Sequence, residues 1–365
     1  MQDQSRNAPP LTRRSFVVAG SLMAATHTIS ALAGSASHFS SHPSLADDPH
    51  MPTIWLQPPN HGGAGGLPPD FTEMFTTRVA EWSAARQATA VWIVRMTSLV
   101  GREAPLQPGF LAEQFIPALS SWGIPLALNV TGATLPGCGT GRRLTVEVEQ
   151  VQRLLDLEAR VVALSLQSSL SKVGGRTCPG YRRNRDFARR IDGIMRYGAF
   201  MRERFPEIGI GLVDAMPAKG WAYEAVYQQL ATALAREGLA LAFIHLDCPV
   251  ESAGPRASVV RAAEAFVRDE LGIPFGWICV SKEGGATSNV AFRDAVLAGY
   301  RGYREAGGRP DRVILTSWYR YPDLMLPEGD DAGAPFTNLV RDFAHLETNR
   351  QAFISATPSG TDESP

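Results

Sequence analysis

A single closed α/β barrel of eight parallel strands, each followed by a helix, is the fold class this sequence predicts. Three observations predict it: eight short β-branched or aromatic runs, longer amphipathic stretches between them, and glycines where those stretches end. The strand candidates are Thr53 to Gln57, Ala90 to Met96, Pro125 to Val130, Arg160 to Gln167, Ile208 to Asp214, Ala240 to Asp247, Phe275 to Ser281 and Arg312 to Trp318. Apolar residues recur at helical spacing in Arg78 to Gln87, Phe110 to Ser121, Val146 to Glu158, Arg185 to Arg204, Tyr223 to Glu237, Ala257 to Glu270, Val290 to Glu305 and Phe336 to Leu346.

Gly123, Gly238, Gly272 and Gly307 follow helices, where a chain turning back into a parallel strand needs them. Runs such as Leu239-Ala240-Leu241-Ala242-Phe243-Ile244 are apolar without alternation, as expected of strands covered on both faces. Eight units favour a (β/α)8 TIM barrel over an open sheet. The first strand runs into Pro58-Pro59-Asn60-His61-Gly62-Gly63 without the following helix that a phosphate loop needs, so no dinucleotide cofactor is expected, nor any other.

The 365 residues exceed the ~250 of a typical barrel by the length of a leader, a linker and a tail. Hydrophobic residues make up 44% and charged residues 19%, with a formal net charge of -1. Arg182, Arg183, Arg185, Arg189 and Arg190 sit among acids rather than forming one basic face, which argues against a nucleic-acid partner. Residues 1–33 contain Arg13-Arg14-Ser15-Phe16 and then an Ala/Gly-rich apolar run ending Ala31-Leu32-Ala33, the pattern of a twin-arginine (Tat) signal peptide. Thr26, His27 and Thr28 break that run below the ~20 residues of a membrane span. A periplasmic or secreted barrel over 51–348 is expected, with a linker at 34–50, a disordered tail at 349–365, and the Tat translocase as its partner during export.

In an oxidising compartment Cys138 and Cys178, both in loop-like sequence, are expected to form a disulfide, whereas Cys279 reads as a packed thiol inside a strand. Trp55, Trp92 and Trp277 lie mid-strand and read as core.

In such a barrel the loops at the C-terminal ends of the strands build the site. The polar residues there are Gln57, Arg95, Asn129, Gln167, Asp214, His245, Asp247, Lys282, Glu283 and Trp318. Glycoside cleavage needs two carboxyl groups, about 5 to 5.5 Å apart for retention or about 6.5 to 9.5 Å for inversion. Glu283, Asp247 and Asp214 are the candidates for catalysis, and Trp318 offers a flat wall for a sugar ring. Gln57, Arg95, Asn129, Gln167, His245 and Lys282 are the candidates for substrate binding. A metal-dependent hydrolase using His245, Asp247 and His61 is an alternative with a sparse ligand set.

Several stretches carry a resemblance: Ile54-Trp55-Leu56-Gln57-Pro58; Asp70-Phe71-Thr72-Glu73-Met74-Phe75 with Trp82 and Arg86; Cys138-Gly139; Thr316-Ser317-Trp318 with Pro322; Leu326-Pro327-Glu328; and Phe336-Thr337-Asn338-Leu339-Val340. Together they resemble exported bacterial glycoside-hydrolase-like TIM barrels. The resemblance implies a carbohydrate or polysaccharide ligand and strand-end carboxylates. The chain departs from that pattern with Asn129 after strand three, Gln167-Ser168-Ser169 after strand four and Asp214-Ala215-Met216-Pro217 after strand five. An amide cannot give a proton to a leaving oxygen as a carboxylic acid does. The departures therefore raise a second expectation, a catalytically lapsed barrel that binds glycan in envelope polysaccharide assembly.

Overall fold

The computed structural model describes residues 51–60, 66–100, 104–132, 140–171, 187–216, 222–329 and 333–356. Eight strands, β1 Thr53–Leu56, β2 Thr89–Arg95, β3 Leu126–Val130, β4 Val161–Gln167, β5 Gly209–Asp214, β6 Ile244–Asp247, β7 Phe275–Cys279 and β8 Arg312–Leu315, close into one barrel in sequence order. Every pairing is parallel, and β1 closes on β8 from Thr53 opposite Arg312 to Leu56 opposite Leu315. The expected fold class is the observed one. Strands β6 and β8 are shorter than expected, β6 beginning at Ile244 and β8 ending at Leu315.

The helices between strands are α1 Ser83–Ala88, α2 Pro108–Phe110 continuing through a π turn into α3 Ile116–Ser121, α4 Thr140–Asp156, α5 Phe187–Arg204, α6 Tyr223–Arg236, α7 Ser258–Ala265, α8 Lys282–Thr287, α9 Asn289–Glu305 and α10 Phe336–Ala356. Helix α10 runs past the expected barrel limit at 348. The four helix-ending glycines take φ from 63° to 92°, the left-handed conformation that lets a helix stop and the chain reverse into the next strand. No helix among the described residues is long and apolar enough to cross a membrane.

Strand parity divides the apolar residues into two cores. Trp55, Val91, Ile93, Ala127, Ala163, Val213, Phe243, Ile278, Val280 and Ile314 form the cluster inside the barrel. Ile54, Leu56, Trp92, Leu128, Leu212, Leu246, Trp277 and Leu315 belong to the larger layer between strands and helices. Trp55, Trp92 and Trp277 are buried, as is Cys279.

The stretches behind the resemblance meet at the seam where the barrel closes. Asp70, buried in the loop after β1, accepts from the backbone of Met325 and Leu326 in the loop after β8. Glu328 returns the contact, its two carboxylate oxygens accepting from the N–H groups of Ala84 and Ala85 in α1. The Asn338 amide bonds both N–H and C=O of Gly329 at 2.7 Å. Phe71, Phe75, Trp82, Trp92, Phe115 and Trp122 pack as one aromatic nest beneath, and Trp82 donates to the Met74 carbonyl. These residues hold the two ends of the barrel together.

Candidate functional site at the barrel mouth

The inward positions from one end of the barrel to the other form successive layers. At the base, the Arg312 guanidinium lies 5.2 Å from the Trp55 ring centre and 5.0 Å from that of Phe243, and burial lowers its pKa to about 10. Above it the His245 ring stacks on Phe243 at 4.1 Å and meets Trp55 edge-on at 5.1 Å. Burial, with the Arg312 charge adding to it, holds this imidazole well below the usual histidine range. His245 Nε2 is buried without a hydrogen-bond partner. A Cβ at Gly276 would come within 2.6 Å of the ring, so the glycine makes room for it. His245 thus fills the barrel interior as a neutral aromatic, below the layer where a ligand would enter.

Two residues beyond the apolar layer, the inward positions turn polar: Gln57 follows Trp55, Arg95 follows Ile93, Asn129 follows Ala127, and Thr316 follows Ile314. They touch one another. With its amide oxygen toward the guanidinium, Gln57 accepts from Arg95 Nε at 2.9 Å and from Thr316 Oγ1 at 3.0 Å, and its amide nitrogen lies against the Asn129 amide. Burial lowers the Arg95 pKa to about 10, with no acid offsetting it. Ser165, in register with Asn129 on the next strand, is buried with no partner for its hydroxyl. Gln167 and Asp247 end their strands half-buried, and Trp318 packs half-buried against the interior cluster with its ring 5.7 Å from that of Tyr319.

Of the three candidate catalytic carboxylates, Asp214 is turned away from the mouth. Asp214 leaves the mouth by one step of parity: Val213 faces the barrel interior, so Leu212 and Asp214 face the helices. It is fully buried, and its carboxylate accepts from the N–H groups of Leu170 and Ser171, the Ser171 hydroxyl at 2.6 Å and the Tyr227 hydroxyl at 2.9 Å. Burial raises its pKa, and those bonds oppose the rise. Its work is to fasten the loop after β4 to α6. Glu283 lies exposed in the first turn of α8, beside an exposed Lys282. Asp247 alone of the three stays at a strand end on the inward parity.

Sequence reasoning missed Glu251, four residues past Asp247. Its carboxylate accepts from the Ser281 hydroxyl and from the N–H groups of Lys282 and Glu283 at 3.1 and 3.0 Å, tying the loop after β6 to the start of α8. Burial works to raise its pKa, but the Ser281 hydroxyl and the backbone donors outweigh that and lower it. Ser281 itself caps α8 by accepting from Gly284. Asp247 and Glu251 both lie close enough to raise the Tyr319 phenol, after burial, so the β6 side of the mouth is acidic.

Cys138, Cys178 and His61 lie outside the described residues, as do the expected signal peptide and linker. Among the described residues no three His, Cys, Asp or Glu side chains come together as metal ligands. A groove of about 390 Å³ lies at the opposite end of the barrel, lined by Met51, Ile54, Ala88, Trp122 and Ile124 among others. It is largely apolar and lacks the convergent amides of the mouth.

No known sequence family matches this chain, and no protein of curated function matches it in sequence. Solved structures do resemble it. Native xylanase 10B from Thermotoga maritima aligns at 12% identity over 81% of this chain and 96% of its own, with a TM-score of 0.50. Xylanase 10C from Cellvibrio japonicus, in complex with xylopentaose, aligns at 10% identity over 82% of this chain and 68% of its own, at 0.51. An intracellular xylanase from Thermoanaerobacterium saccharolyticum, in complex with xylotriose, aligns at 10% over 75% of this chain and 90% of its own, at 0.50. At such identities the likeness is one of fold: this chain and those proteins share an eight-stranded parallel barrel.

Proposed function

We propose that this chain is an exported carbohydrate-binding barrel whose mouth holds sugar and does not cut it by the paired-carboxyl route. The observation that carries this reading is the contact of Gln57, Arg95, Asn129 and Thr316 at the converging strand ends. Planar amides and a guanidinium offer the donors and acceptors that sugar hydroxyls need. The half-buried Trp318 and Tyr319 add an aromatic wall. Paired-acid cleavage requires a proton-donating carboxyl group facing an ionised one across the ligand. The carboxyl that burial raises, Asp214, is sealed beneath the loop after β4. The xylanase neighbours, two of them bound to xylose oligomers, support a carbohydrate as the class of occupant.

Arg13-Arg14 and the apolar run after them support delivery by the Tat translocase to the periplasm or beyond, where envelope polysaccharide is the available ligand. A role in its assembly follows from binding without turnover.

Calorimetric titration of the purified protein with soluble glycans tests the reading. Expected are saturable binding weakened at least about tenfold in Gln57→Ala and Asn129→Ala, variants that still melt cooperatively, and no new reducing ends. Cleavage has its own supporting observation, that Asp247 and Glu251 both act on the Tyr319 phenol. Reducing ends released by the wild type and lost in Asp247→Asn would establish that second reading instead.

A further inference from the structure

The Arg95 guanidinium is a half-buried charge without a counter-charge. It sits on the inward parity of β2, two residues beyond Ile93, and no carboxylate among the described residues pairs with it. Its partner is the neutral Gln57 amide, whose oxygen takes Nε and one hydrogen of Nη2. A guanidinium has five N–H donors in a fixed fork. Two are occupied, so the end-on edge made by Nη1 and the remaining Nη2 hydrogen is left, two parallel donors of the spacing that a carboxylate accepts. Other desolvated arginines of the fold are provided for differently: Arg304 faces the Glu347 carboxylate at 2.8 Å, Arg190 donates to the Leu170 carbonyl, and Arg312 lies over two aromatic rings.

An uncompensated buried charge is costly, and a fold keeps one where something else supplies the opposite sign. The Gln57 amide touches the cation and the Asn129 amide touches Gln57 in turn, both groups that can bond hydroxyls, and the acids of the mouth, Asp247 and Glu251, belong to the β6 side.

We propose that Arg95 is the recognition residue for an anionic sugar, a uronic acid whose carboxylate seats on the free Nη1/Nη2 edge while the neighbouring amides hold its hydroxyls. The ligand class is thereby an acidic polysaccharide. This assignment rests on the carbohydrate-binding reading above and narrows it.

The experiment compares two oligosaccharides of equal length, an oligogalacturonide and the same oligomer with its carboxyl groups reduced to neutral hydroxymethyls, titrated into the wild type, Arg95→Gln and Arg95→Lys. A sulfated oligosaccharide and its desulfated counterpart form a second pair. The wild type is expected to favour the uronide at least about tenfold, a preference that shrinks towards one in Arg95→Gln and is partly kept in Arg95→Lys, which holds the charge without the fork. Preference for the sulfated oligomer over the uronide would overturn the carboxylate assignment. Equal binding of the uronide and its reduced form by the wild type, or an undiminished preference in a folded Arg95→Gln, would overturn the role of Arg95 and leave carbohydrate binding standing. If no oligosaccharide binds, both readings fail together. Cooperative melting of each variant separates loss of the fork from loss of the fold.

Discussion

The Asp70 carboxylate accepts the backbone N–H groups of Met325 and Leu326 at 2.8 to 3.0 Å, joining the loop that leaves the first strand to the loop that leaves the last. Both donors are buried, so removing the acceptor orphans them in a place water does not reach. Asp70→Ala is expected to lower the unfolding free energy by about 2–4 kcal/mol in urea titration. Asp70→Asn, which keeps one oxygen, should lose less. A change within about 0.5 kcal/mol, the range of ordinary surface substitutions, would show that the seam is held by its aromatic nest alone.

Asp214 gives the fold a pH signature of definite sign. Its folded pKa is raised by burial, so its contribution is fully present below the ordinary carboxylate value of 3.8 and is lost as pH rises through the folded value. Relative to Asp214→Asn, the wild type should therefore lose stability as pH rises from about 4 towards neutrality. Denaturant melts of the two proteins across that range measure the difference. Parallel curves would mean that the four donors around the carboxylate cancel its burial.

His245 has the opposite signature. Its folded pKa is depressed by burial and by Arg312, so the stability tied to the neutral ring is complete above the ordinary value of 6.5 and is lost as pH falls below it. His245→Leu, of similar volume and with no proton to take up, should flatten the wild-type decline between about pH 6.5 and 5. Its carbohydrate affinity should stay within about twofold, because the ring lies in the aromatic layer beneath the mouth. A large loss of binding with an unchanged melt would move His245 into the site.

Much of the barrel was legible because eight apolar runs separated by helical spacing leave few ways to bury both faces of every strand. The mouth was legible as far as residue type: Gln57, Arg95 and Asn129 stand out as polar positions ending apolar strands. Parity at the last residue was not. Asp214 and Asp247 both end strands, yet Val213 turns inward beside one and Leu246 outward beside the other, so the first acid faces the helices and the second the barrel. Glu251 escaped for a different reason, since its role depends on the loop after β6 reaching α8, a contact with no local pattern. The resemblance stretches gave no hint of what Asp70 and Glu328 do, because their bonds join segments far apart in the chain at the seam.

If Arg95 is kept for a ligand, the empty protein should be more stable without its charge. Arg95→Met preserves much of the length and apolar stem, removes the desolvated guanidinium, and leaves Gln57 its bond to Thr316. Replacing a half-buried, unpaired charge with an apolar group of similar shape is expected to raise the unfolding free energy of the ligand-free protein by about 1 kcal/mol. A purely structural arginine gives the reverse, because its loss strips bonds from Gln57 and opens a void. Melting curves with and without saturating uronide distinguish the two: ligand should stabilise the wild type and leave Arg95→Met nearly unmoved, closing the gap between them or inverting it. A ligand-free Arg95→Met that melts well below the wild type would place the guanidinium among the supports of the barrel rather than among its binding groups.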